Sequence, residues 1–555
     1  MTPNKFCLIV WIVFAFGFTA EAQDRYAVFF KHKPQTGLSL NRPQEFLTQK
    51  ALTRRTREGI QADSLDLPVS KKYLDQISGM SNYILYASKW MNAAVLVTDK
   101  ARADQMAALP FVSKVELVGK GFLARPGARV KYNAFASVTL ETNCENPKLN
   151  TRELAIANNS YDFQNQLIGI DDMHKQGFTG DGVTVAVFDA GFPGVKTSSA
   201  FAHLFTNKQL VGQKDFVRPW NSEVFIDNQH GTNVLSLISA NESAKLISGA
   251  FDSDYILVIT EEVATEYRVE EYNWVRGAEY ADSLGVDIIN SSLGYWDFDD
   301  LSMNYTLADL NGKTTVITRG ASIAAKKGIL IVNSVGNYGG RGASSLVAPA
   351  DAEGILSVGS VKKTGEISTF SSRGPTGDGR IKPELVAFGD SPVLIRSNGT
   401  VSSSSGTSFS APQIAALAAG LWEARPEWTK DELIVNLLQS ATQYDKPDNL
   451  LGYGVPNFMD AYFGEILSLE SEEQVEWKVF PNPLISDEIS IQFGTGLSSE
   501  FELIDMTGKL LFQSKLIRTS PKAPFRVQLG GIKPGVYLIQ MSDGAYIRQT
   551  KLLRH

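Results

Sequence analysis

A serine stands at position 408 within Gly406-Thr407-Ser408-Phe409-Ser410-Ala411-Pro412, after the run Ser402 to Ser405 and before the alanine-rich segment Ala411 to Ala424. That order predicts a loop turning into a buried helix. Ser408 then falls at the first turn, where free backbone N–H groups point outward. A hydroxyl there can attack, and the same N–H groups can hold an oxyanion. Gly406 lets another backbone or a substrate come close. Pro412 is tolerated at a helix start because its missing N–H would be unpaired anyway. The segment also reads as a serine-rich loop with an ordinary N-cap, so its partners decide between the two.

A serine hydroxyl needs a base at neutral pH, and the base needs an orienting carboxylate. The chain has five histidines. His32 lies in the N-terminal region, His555 is the last residue, and His174 and His203 have no distinctive neighbours. His230 precedes Gly231-Thr232 and the apolar Val234 to Ile238, again where a loop becomes a helix. Elimination and context make it the candidate base. Asp189 ends the apolar Val185 to Phe188 and is followed by Ala190-Gly191, where the chain turns. It can orient an imidazole, and a structural or ligand-binding aspartate is the equal alternative. Asn337 closes Asn333-Ser334-Val335-Gly336-Asn337. Its amide can donate to an oxyanion, or it is a turn residue beside glycine.

These residues need a scaffold. From about 161 the chain repeats apolar run, turn and amphipathic segment. The runs are Val183 to Phe188, Tyr255 to Ile259, Val286 to Ile289, Ile329 to Val332 and Ile355 to Val361. Helix-like stretches such as Tyr272 to Leu284 and Ile317 to Lys327 lie between them. Strands apolar on both faces and separated by helices predict an α/β fold with a parallel sheet. Ligand sites then lie at the carboxyl ends of strands. A length of 555 residues exceeds a single core. Residues 23–122 predict a small α+β unit, one sheet with two helices at Pro43 to Arg57 and Lys100 to Leu109. The basic cluster Lys50, Arg54, Arg55 and Arg57 reads as a solvated helix face, with an acidic partner surface as the alternative. Residues 123–160 lack periodicity and predict a linker open to cleavage. After 466, short alternating strands with turn signals at Thr507-Gly508 and Asp543-Gly544 predict a small all-β domain.

Taken in chain order, the pieces resemble the subtilisin-like serine proteases. Asp189-Ala190-Gly191, His230-Gly231-Thr232, Ser292-Leu293-Gly294, Gly336-Asn337, Phe370-Ser371-Ser372-Arg373-Gly374-Pro375 and Gly406 to Pro412 stand in that family's order between 161 and 466. The resemblance implies a subtilisin-like parallel sheet flanked by helices and a Ser-His-Asp triad. In it Asp189 orients, His230 is general base then acid, and Ser408 is the nucleophile. Asn337 with the Ser408 N–H forms the oxyanion hole. Ser292, Leu293 and Gly294 pair with an extended substrate, and Ser334, Val335 and Gly336 line the main specificity pocket. Asn233 departs from the pattern where a histidine is often found, without touching catalysis, and Phe388 stands where Pro is common. The short Ala240 to Lys245 segment does not carry over the family's calcium loop, so no metal ligands are assigned. The implied chemistry requires no cofactor, and structural calcium is left open.

The flanks extend the resemblance. Residues 1–22 have Lys5, an apolar Phe6 to Phe18 and Ala20-Glu21-Ala22, the pattern of a cleaved secretory signal too short to span a membrane. Residues 23–122 resemble a subtilisin propeptide, an intramolecular inhibitor. Residues 467–555 resemble the type IX secretion sorting domains, through Val479 to Pro483, Gly535 to Tyr537 and the basic end, which implies export to the surface or medium through that machinery. Cys144 is alone once Cys7 leaves with the signal, so no internal disulfide forms. A net charge of −7 argues against nucleic acid as the main partner. No further run is long enough to span a membrane. The expected partners are protein or peptide substrates. The order Asp, His, Ser, with no Gly-x-Ser-x-Gly, argues against an α/β-hydrolase esterase. The lack of a His-x-x-x-His pair argues against a zinc peptidase. A binding protein on a protease scaffold is the remaining rival, opposed by the filled catalytic positions.

Overall fold

The computed structural model describes residues 23–34, 37–122, 160–464, 478–493, 497–518, 524–542 and 547–554. The expected signal segment, the linker with Cys144, and the Asp543-Gly544 turn lie outside them. The chain divides into two units, meeting at Tyr462 and Phe463.

In the first unit, β1 (Gln23–Phe30), α1 (Gln49–Arg57), α2 (Lys71–Ser78), β2 (Tyr83–Ser88), β3 (Ala93–Thr98), α3 (Lys100–Ala107) and β4 (Val112–Phe122) form the N-terminal region. Its four strands pair antiparallel in the order β2-β3-β1-β4. One sheet face, with Val28, Phe30, Ile84 and Leu96, packs on Leu74 and Ile77 of α2 and Met106 of α3. The second sheet-covering helix is therefore α2, which the sequence reading missed. α2 is short, and its apolar positions Leu74 and Ile77 are too few to show a period. The expected helix from Pro43 splits into a 3₁₀ turn over Pro43–Glu45 and α1 from Gln49.

α1 does not present a solvated basic face. Arg54 and Arg55 are only 2% and 3% exposed, inserted beside Asp282 of the following region. Arg54 Nη2 donates to Asp282 Oδ1 at 2.5 Å. Arg55 forks onto Asp66 at 2.8 and 3.0 Å and reaches Asp282 at 2.9 Å. Lys327 closes the network on Asp66 at 3.0 Å. Burial alone would raise the Asp66 and Asp282 carboxyls; the facing cations outweigh it and hold both below the usual range. Residue pattern on one helix could not show an acid that lies 227 positions downstream of Arg55.

The larger region holds a sheet of seven parallel strands: β5 (Thr184–Asp189), β6 (Leu210–Asp215), β7 (Asp254–Ile259), β8 (Ile288–Ser291), β9 (Leu330–Ser334), β10 (Leu356–Val361) and β11 (Leu385–Phe388). Their order is β11-β10-β9-β8-β5-β7-β6. The five apolar runs are strands as expected; β6 and β11 flank them at the edges. β6 (LVGQKD) is half-buried and half polar, so it carries no apolar run to notice. Helices α4 (His230–Ser239) and α7 (Ala411–Ala424) share one core with the sheet. Helices α5 (Val269–Leu284) and α6 (Val316–Lys326) share the core on the other face. There the second face of the N-terminal sheet joins in, with Phe29, Tyr86, Val95 and Val97 against Tyr272 and Val275. The chain reverses direction across the sheet at β5, with β7 on one side and β8 on the other. A crevice at the carboxyl ends follows from that switch.

From Lys478 onward, the described residues of the second unit form β-strands and turns. A three-stranded sheet of β12 (Lys478–Phe480), β13 (Glu488–Gln492) and β16 (Phe525–Gln528) faces a four-stranded one. The latter contains β14 (Ser498–Asp505), β15 (Leu510–Ile517), β17 (Gly535–Ser542) and β18 (Ile547–Arg554). Alternate residues such as Ile489, Ile491, Phe501, Leu503, Ile539 and Met541 point into one shared core. At Thr507-Gly508 the expected turn links β14 and β15, with Asp505 Oδ1 accepting from the Thr507 and Lys509 N–H groups.

Candidate active site

Asp189 ends β5, fully buried between β7 and β8. Its Oδ1 accepts from the Ala190 N–H at 2.7 Å. Both carboxylate oxygens lie 2.9 Å from His230 Nδ1. With Nδ1–H given to Asp189, Nε2 is the nitrogen left to take a proton. His230 opens α4, its own N–H capped by Asn228 Oδ1 at 2.9 Å. The next residue must be glycine: a β-carbon on Gly231 would lie 2.4 Å from the Gly191 carbonyl and 2.9 Å from Asp189 Cβ. The His-Gly pair is thus what close packing of α4 on the β5 turn demands.

Ser408 lies in a 3₁₀ turn over Thr407–Phe409, one step before α7 rather than in its first turn. The chain is tied to the 292–294 segment twice. Ser292 Oγ donates to the Ser408 carbonyl at 2.9 Å, and Ser408 Oγ donates to the Ser292 carbonyl at 3.2 Å. Asn337 Oδ1 accepts from Thr407 N–H at 2.9 Å and from Thr407 Oγ1 at 3.1 Å. That fixes the amide so its Nδ2 faces Gly406, whose added β-carbon would lie 3.7 Å from it. The His230 ring sits 5.7 Å from the ring of Phe409, next to Ser408. Asn333 Nδ2 donates to the Leu293 carbonyl at 3.2 Å and so links the two segments expected to bind substrate. Gly294 and Gly336 both abut Val347. Ser334 and Val335 are buried in and just after β9.

The expected residues therefore meet at one end of the sheet. No hydrogen bond joins His230 and Ser408, whose hydroxyl donates to the Ser292 carbonyl instead.

Sequence reasoning passed over an acidic wall beside the histidine. A cavity of about 310 Å³ is lined by Ala190, Asn228, Glu261 and Glu262 and by the Arg218–Asp227 ion pair. Glu261 and Glu262 follow β7 after one residue, Thr260, so the carboxyl-end rule would have found them. Glu261 shares its surroundings with Glu266 and Glu270, one ligand oxygen from each lying within 4.8 Å of the others. Burial raises all three carboxyls, Glu266 to about 8. For His230, burial alone would lower the imidazole. The Asp189 charge and hydrogen bond, with a smaller push from Glu261, outweigh it, and the net shift is upward.

Comparison with known proteins matches this geometry to a lineage. The Subtilase family profile matches residues 180–454, spanning β5 to β11 and Ser408. The chain belongs to the subtilase family. In this subtilase, residues 25–130 match the Peptidase S8 propeptide domain of Bacteroidota, and residues 478–554 match a secretion system C-terminal sorting domain. The latter marks the chain for export to the cell surface by type IX secretion. Among the described residues no helix is long and apolar enough to cross a membrane.

The subtilase is similar to subtilisin amylosacchariticus of Bacillus subtilis subsp. amylosacchariticus, at 29% identity over 272 residues, 49% of this chain and 63% of that one. It is also similar to subtilisin-like protease SBT6.1 of Arabidopsis thaliana, at 26% over 316 residues, 55% of this chain and 27% of the plant protein. The chain thus spans less than two thirds of these relatives' lengths. Among solved structures, the CspB protease of Clostridium perfringens aligns with a TM-score of 0.47 at 17% identity, over 56% of this chain and 99% of that one.

Proposed function

We propose that the protein is a secreted serine endopeptidase, made as a precursor whose residues 23–122 block the site until they are cut away in the 123–160 linker. The observation that carries this reading is the 2.9 Å bond between Asp189 and His230 Nδ1 at the same sheet end as Ser408. Ser408 Oγ attacks a peptide carbonyl carbon as its proton passes to His230 Nε2. Side-chain rotation takes the hydroxyl from the Ser292 carbonyl to the imidazole, a tightening common on substrate binding. The oxyanion accepts hydrogen bonds from the Ser408 N–H and from Asn337 Nδ2. The C–N bond breaks, the amine leaves with the proton from His230, and Ser408 holds the acyl group. Water, deprotonated by His230, then releases the acid and restores the serine. Asp189 keeps the imidazole in one tautomer and stabilises its charged form.

Side chains and backbone supply every step, so the chemistry draws on no cofactor. The 292–294 segment lends its edge to an extended protein or peptide substrate. Residues 23–122 act as intramolecular inhibitor, and the second unit engages the type IX machinery.

The test is hydrolysis of a peptide library by purified precursor and by Ser408→Ala. The unsubstituted protein cleaves and trims itself between 123 and 160, whereas Ser408→Ala does neither. Equal trimming of both would end the autocatalytic reading. No cleavage by the protein after loss of residues 23–122 would end the peptidase reading.

A further inference from the structure

Gly294, in the segment expected to pair with substrate, and Gly336, in the segment expected to line the specificity pocket, wall Val347 from two sides. Glycine in both walls leaves room between the two segments, because each lacks a side chain. What fills that room sets how deep a substrate side chain can go. A β-carbon built on Gly294 would lie 2.1 Å from Val347 Cγ2 and 3.1 Å from Val347 Cβ. One built on Gly336 would lie 3.0 Å from the same Cγ2 and 3.3 Å from Cγ1. A single valine methyl therefore stands where both glycines point.

Val347 is held there from both sides. Its N–H donates to the Val335 carbonyl at 3.3 Å, on the Gly336 wall. The next residue, Ala348, exchanges two hydrogen bonds with Tyr295, at 2.9 and 3.1 Å, on the Gly294 wall. The side chain is 2% exposed, and a β-branched residue has few rotamers with which to retreat. Ser372 closes the far side, its Oγ lying 2.9 Å from the β-carbon that Gly336 lacks. Ser372 is itself pinned by its N–H to the Gly336 carbonyl and by the Tyr338 N–H to its Oγ, both at 2.9 Å.

We infer that Val347 is the floor of a shallow specificity pocket, and that the substrates are polypeptides with a small residue (Gly, Ala or Ser) immediately before the cleaved bond. This rests on the peptidase reading above. A ring-bearing side chain would need the space that the Val347 methyls occupy. Close-packed surroundings do not yield that volume without moving the backbone of two strands. Selectivity here comes from exclusion, which discriminates more sharply than added apolar contact.

The experiment compares hydrolysis of matched peptides with Ala or Phe before the scissile bond, by the processed protein and by Val347→Gly and Val347→Ala. Ser408 labelling with a fluorophosphonate counts active sites in each. The unsubstituted protein is expected to favour Ala over Phe by about a hundredfold or more in kcat/KM, since pocket changes of a methylene alone are worth roughly 10–200-fold. Val347→Gly reverses or erases that ratio per labelled site, with Val347→Ala between them. Equal use of Ala and Phe by the unsubstituted protein would overturn the inference and leave the peptidase reading intact. So would a loss of rate in both variants with the ratio unchanged, the signature of a merely structural valine. Absence of both labelling and hydrolysis in the processed protein would instead overturn the peptidase reading, and this inference with it.

Discussion

At the scale of single residues, the proposed mechanism makes the charge on His230 decide when the site works. In that mechanism the base must be neutral, and the His230 pKa is raised because the Asp189 carboxylate outweighs the cost of burial. A raised value means the imidazole takes its proton at higher pH. Activity is therefore full above that value and lost as pH falls through it. The acid limb of kcat/KM is expected above the ordinary histidine value of 6.5. Asp189→Asn removes the raising charge, moves that limb down and lowers kcat by about 10⁴. A limb unmoved in Asp189→Asn would show that another group titrates. Asn337 has a separate effect. Its Oδ1 is committed to Thr407, so only Nδ2 is free to donate. Asn337→Ala is expected to cost about 10²–10³ in kcat with KM little changed, a range borrowed from the oxyanion-hole asparagine of a subtilisin. A loss confined to KM would place Asn337 in substrate binding instead.

Helix α1 poses the question at the scale of elements. A basic helix ordinarily lies in solvent, but here four buried or half-buried cations meet Asp282 and Asp66 beneath α1. Arg57 adds a stacking contact over Trp422 of α7 at 4.3 Å. Such a network adds little net stability over an apolar contact, yet losing one partner of a buried pair costs about 3–5 kcal/mol. What it provides is a specific set of partners, Asp282 and Lys327, for the N-terminal region on the larger one. Arg54→Met is expected to lower the docking stability of that region by about 3 kcal/mol. Urea unfolding of the uncut Ser408→Ala precursor reads this directly, and no change in midpoint would refute it. Because Asp66 and Asp282 are depressed in the folded state, their contribution is present above the ordinary carboxylate range. It is lost as pH falls through the depressed values. Docking should hold at neutral pH and fail in acid.

At the scale of the whole molecule, each unit has its own core among the described residues. That of the second unit is built from residues between Val479 and Leu552, and the sheet-and-helix cores from residues up to Tyr462. Ending the chain after Tyr462 is expected to leave the melting transition of the first unit within a few degrees, since no buried apolar residue of its cores is removed. Export is expected to stop, because the sorting domain is gone. Cell fractionation reads the second effect and calorimetry the first. A large drop in melting temperature would show that the units stabilise one another.

The sequence alone determined the parts whose rules are local. Apolar runs marked five strands of the sheet because a strand covered on both faces is built mainly from apolar residues. Gly231-Thr232 after His230 and the small residues around Ser408 marked places where a loop becomes a helix. The order of Asp189, His230, Asn337 and Ser408 was enough to name a chemistry. Tertiary structure alone decided what depends on residues distant in the chain. It placed Asp282 under Arg54 and Arg55, turned Ser408 Oγ to the Ser292 carbonyl, and set Glu261 beside His230. It also placed a Val347 methyl between two glycines 42 positions apart. Depth of a pocket and burial of a charge are properties of the space between segments, and no single segment contains that space.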